Sequence, residues 1–148
     1  MVDTEAVAQA LFDLAKGAQT SALPFVSFSR RFQHWELTNE NDWPCFYQFQ
    51  EPARNVSGGA RGLPVHRMKV LWIMYLRKSA GPDDPISPLL NQYYDALTNV
   101  LMPSFEGTKQ TLGELVIDCF QDGDALTDEG LLDTPSLISI PITILIGI

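Results

Sequence analysis

The last twelve residues place isoleucine at every even position from Ile138 to Ile148. Successive side chains of a β-strand point to opposite faces, so this period predicts a strand carrying one unbroken apolar stripe. Pro141 interrupts the run and has no amide hydrogen, which predicts an edge strand or a bulge there. A long, bare, hydrophobic edge invites association, so the stripe has to be covered. Two covers are open: the helices of the same domain, or a second copy of the chain. The second makes Ile144, Ile146 and Ile148 candidate contacts with a neighbouring subunit.

Upstream, the pattern predicts a helix over residues 4–16, capped by Asp3 or Thr4 and stopped by Gly17. Val7, Leu11, Leu14 and Ala18 fall on one of its faces. Residues 25–32 and 43–50 read as strands. In the second, Trp43, Cys45, Tyr47 and Phe49 share a face. The proline- and glycine-punctuated stretch 51–64 reads as a long contact loop. Residues 65–77 form the strongest interior strand. Met68, Val70, Trp72, Met74 and Leu76 lie on one side, and Leu71, Ile73 and Tyr75 on the other, so layers are expected against both faces. A second helix is expected from Ser87 as cap, with Pro88 first and Pro103 as stop. A fourth strand is expected over 112–120, with Leu115, Ile117 and Cys119 inward. The turn Asp122-Gly123-Asp124 and an acidic loop then precede the isoleucine strand. The order α-β-β-β-α-β-β predicts one α+β domain over 1–148. Two main helices would pack on a mixed or mainly antiparallel sheet of about five strands.

Charge is distributed unevenly. Residues 1–78 carry nine bases and seven acids, whereas 79–148 carry eleven acids and the single base Lys109. The second half is therefore a solvated acidic surface or one that repels nucleic acid or meets a basic partner. Sequence-specific DNA binding is disfavoured, because it needs a phosphate-neutralising basic face. No apolar run of about 18 residues predicts a membrane span.

The chain offers little for chemistry. His34 and His66 are distant in sequence and read more simply as hydrogen-bonding residues than as bases. Cys45 and Cys119 sit among apolar neighbours, which normally leave a thiol inert. No zinc-ligand spacing is present, and Asp122, Asp124, Asp128 and Glu129 miss the calcium-loop pattern. No catalytic, metal or cofactor-binding residue is assigned. Arg30 and Arg31 followed by Trp35 could pair or stack across an interface, or simply flank a sheet edge. Arg54 and Arg61 are candidate contacts in the long loop.

An ordered series of short motifs adds to this reading. Arg30-Arg31 with Trp35 comes first. Pro44-Cys45-Phe46-Tyr47-Gln48-Phe49-Gln50, Leu63-Pro64 and Leu71-Trp72-Ile73-Met74-Tyr75 follow. Gln110-Thr111-Leu112-Gly113-Glu114-Leu115-Val116, Thr127-Asp128-Glu129-Gly130 and Ile140-Pro141-Ile142 complete it. The series resembles small tail-completion or minor tail proteins of long-tailed bacteriophages and, more distantly, the tail-terminator family. The resemblance implies a non-enzymatic virion protein, assembled in the host cytoplasm and resident in the tail or neck. Copies would form a ring, typically hexameric, without cofactor or membrane. The ring would cap the tail tube protein, stop its polymerisation and face the head-side connector. DNA would pass through without specific binding, and Asp122, Asp124, Asp128 and Glu129 would be candidates for the acidic channel or a docking surface. Two alternatives remain: a head-completion or connector-adaptor subunit of the neck, and a small Cys–His enzyme.

Overall fold

The computed structural model describes residues 3–51, 54–56, 65–103, 108–131 and 133–147, with backbone alone at 54–56 and 65. Helix α1 spans Thr4–Lys16. The Asp3 carboxylate caps it by accepting from the Glu5 amide at 2.9 Å. Strand β1 (Ser27–Ser29) is short, and β2 (Cys45–Gln50) runs parallel to it. Strand β3 (Arg54–Val56) forms a ladder with one end of β4 (Val65–Lys78). Helix α2 spans Ser87–Leu101, followed by β5 (Asp118–Gln121), β6 (Leu126–Asp128) and β7 (Pro135–Gly147).

The strands form one sheet in the order β1-β2-β4-β7-β5. β3 joins β4, and β6 joins β7. Apart from the β1–β2 pair, the ladders are antiparallel. The α+β architecture is as expected, with β3 and β6 as additional short strands. Both helices pack on one face. Val7, Leu11, Phe12, Leu90, Tyr93 and Leu97 meet Phe46, Met68, Val70, Trp72, Met74 and the even-numbered isoleucines from Ile138 to Ile146 in a single core. Gln48 is a buried polar residue beside this core. Its Nε2 donates to the Ala8 carbonyl at 2.8 Å and its Oε1 accepts from the Trp72 indole at 3.2 Å, fastening α1 to the sheet. Each buried side-chain nitrogen and oxygen among the described residues has a hydrogen-bond partner.

Four expectations are corrected. First, β7 is an interior strand rather than an edge. It pairs with β4 from Val65↔Gly147 to Lys78↔Pro135, and with β5 and β6 on its other side. Pro141 fits because of where its missing donor points. A residue's N–H and C=O face the same neighbouring strand. The Pro141 carbonyl accepts from the Asp122 amide at 3.0 Å, so its nitrogen faces the turn between β5 and β6, where the ladder is already interrupted.

Second, the strand expected over 112–120 shrinks to 118–121. Leu112, Gly113 and Glu114 all have φ between 51° and 73°, a left-handed turn no strand accommodates. Cys119 points inward as expected, Leu115 is half-buried and Ile117 is exposed. Third, Ile86 rather than Ser87 caps α2, and the Glu129 carboxylate accepts from the Ser87 amide at 3.0 Å. Fourth, no α-helix covers the second sheet face among the described residues. Its Cys45–Tyr75–Leu137 end is roofed by the segment before β2, where Trp35 and Trp43 join Cys45, Tyr47 and Tyr75 in a smaller cluster. The Tyr75 hydroxyl donates to the Gln33 carbonyl at 3.0 Å, and Lys78 pairs with Glu40 at 2.6 Å.

Candidate assembly surface

Beyond that roof no helix or strand among the described residues lies over the sheet face, although Thr143 on it is 1% exposed. Strand register fixes the side chains of this face in rows, because paired residues share a face. Phe49, Leu71 and Pro141 form one row; Lys69, Thr143 and Phe120 the next; Arg67, Leu145 and Asp118 the last. On the other side of the first row, Tyr47, Ile73, Ser139 and Leu126 align. Several large apolar groups here meet solvent: Phe49 is 40% exposed, Phe120 37% and Leu126 59%. Phe32 extends the patch past the sheet margin, lying edge-on to Phe49 at 6.1 Å and to Tyr47 at 5.9 Å. Ile117, also exposed, lies against Gly147 at the opposite margin.

Charge is distributed unevenly over this face and around it. Arg31, beside Phe32, and Arg67 and Lys69 on β4 are exposed and form no salt bridge among the described residues. Glu51 lies beside them, its amide bonded to the Lys69 carbonyl at 2.9 Å. On the β5 and β6 margin Asp118, Asp122, Asp124 and Asp128 follow one another along the two strands and their turn. Asp122 Oδ2 accepts from the Thr143 hydroxyl at 2.7 Å, and Asp128 Oδ1 accepts from the Gly130 amide at 2.8 Å. Glu129, expected to act with them, is exposed and occupied at the start of α2.

The candidate contacts read from sequence fare unequally. Ile144 and Ile146 are 0% and 3% exposed within the chain's own core, so their side chains are not available to a neighbour. That corrects the expectation for both: α1 and α2 supply the cover. Arg30 is turned inward on the molecule. Its guanidinium chelates the Glu5 carboxylate and reaches Gln9 at 3.3 Å, joining α1 to the segment after β1. That contact holds the Glu5 carboxyl below its usual range. Trp35 is half-buried in the roof. Arg54 pairs with Arg67 through the backbone ladder. Arg61 and Ile148 lie outside the described residues, as does most of the 51–64 loop.

The exposed residues Phe32, Phe49, Arg67, Lys69, Phe120 and Leu126 escaped the sequence reading. A signal existed on β4. Its odd face passes from Arg67 and Lys69 to Leu71, Ile73 and Tyr75, which marks a face covered at one end only.

The groups considered for catalysis sit in deactivating surroundings. Cys45 is buried against Tyr47 and Tyr75, and burial pushes its thiol up from the ordinary value. Cys119 is pushed up to about 12, by burial first and the adjacent Asp118 second. Activated thiols are shifted the other way. His34 Nδ1 accepts from the Glu36 amide at 3.4 Å, and its ring packs on Trp35. His66 lies half-buried on β4, opposite Ile146. Among the described residues, no three His, Cys, Asp or Glu side chains are grouped to hold a metal ion. No helix there is long and apolar enough to cross a membrane. No known family model matches the chain, and no curated protein matches it either.

Proposed function

We propose that the chain is a structural virion protein: a ring-forming tail-terminator or completion subunit of a long-tailed phage. Copies of it close into a ring, typically hexameric, on the finished tail tube. The ring stops tube polymerisation and presents its other face to the head-side connector. The observation that carries this reading is the second sheet face, on and around which Phe32, Phe49, Phe120 and Leu126 are exposed. Exposed apolar clusters of this kind mark surfaces that association covers. The ordered motif series supports the same reading, and the raised thiols of Cys45 and Cys119 speak against a Cys–His enzyme. The acidic margin bearing Asp122, Asp124 and Asp128 suits a wall past which DNA moves without adhering.

The test is removal of the protein from an infection. Free heads beside overlong tails are the expected products. Tails of normal length that fail to join heads would assign it instead to the connector-adaptor ring, and intact infectious particles would refute both readings.

A further inference from the structure

We draw no further inference here: the strongest candidate, the second sheet face where Phe49, Phe120 and Leu126 meet solvent, carries none because nothing in the structure shows what covers it.

Discussion

Alternate residues of β7 should differ sharply in what they contribute to stability. Ile142 and Ile144 are 1% and 0% exposed beneath the helices, while their neighbour Leu145 is half-buried on the opposite face. Replacing Ile144 by alanine removes three carbons from a close-packed site, losing their transfer free energy and leaving a cavity. The expected cost is about 2–5 kcal/mol. For a chain of this size, each kcal/mol lowers the melting temperature by about 4 °C. Ile144→Ala should therefore lower it by roughly 8–20 °C.

The same truncation at Leu145 removes fewer buried contacts and should cost less than about 1.5 kcal/mol. Equilibrium unfolding in urea, with the slope unchanged, measures both on one scale. A register shifted by one residue would exchange the two faces. Equal losses at the two positions, or a larger loss at Leu145, would refute the placement of the isoleucine stripe. So would an Ile144→Ala protein of wild-type stability that had lost self-assembly, because that pattern belongs to a contact between copies.

Gln48→Leu should cost about 1–3 kcal/mol, since the buried Trp72 indole loses its acceptor; thermal melting reads the loss and tryptophan fluorescence reports the altered indole. Cys45 and Cys119 in the folded protein should react with a thiol reagent at least about a hundredfold more slowly than in denaturant. Native and unfolded labelling rates that coincide would contradict their burial.

The Asp84 carboxyl is lowered from 3.8 to about 2, first by its hydrogen bonds with Arg77 and then by the Ala80 amide. A group whose folded value is depressed stabilises the fold above its unfolded value, and that contribution disappears as pH falls through the folded one. Asp84→Asn should therefore flatten the loss of stability between about pH 4 and pH 2, measured by urea midpoints across that range.

Much of the fold was legible because local pattern and tertiary environment agree. α1 runs over residues 4–16 as its apolar spacing and Asp3 dictate, and the even face of β4 is buried from Met68 to Leu76. Pro141 misled because an absent donor says only that one side of a strand is unpaired at one residue. It does not tell whether that side is an edge or a gap between two partner strands. Residues 112–116 look like a strand by composition, yet the two non-glycine residues flanking Gly113, Leu112 and Glu114, adopt positive φ with it. Nothing in their side chains announces it. The sequence leaves Arg30 between an interface contact and an edge residue because Glu5 lies 25 positions away, and only the packing of α1 brings the two together. The candidate surface was least visible. Its members come from five segments, and their common face follows from the register of β4 with β2 and β7.

The isoleucine stripe thus serves the interior, and the proposed assembly surface lies on the other side of the same sheet. The central claim concerns where that surface is used. Locating the subunit in intact particles by electron cryo-microscopy tests it most directly. A single ring of copies at the head-proximal end of the tail tube is the predicted result. Density for the subunit along the whole tube, inside the head, or nowhere in the particle would contradict it.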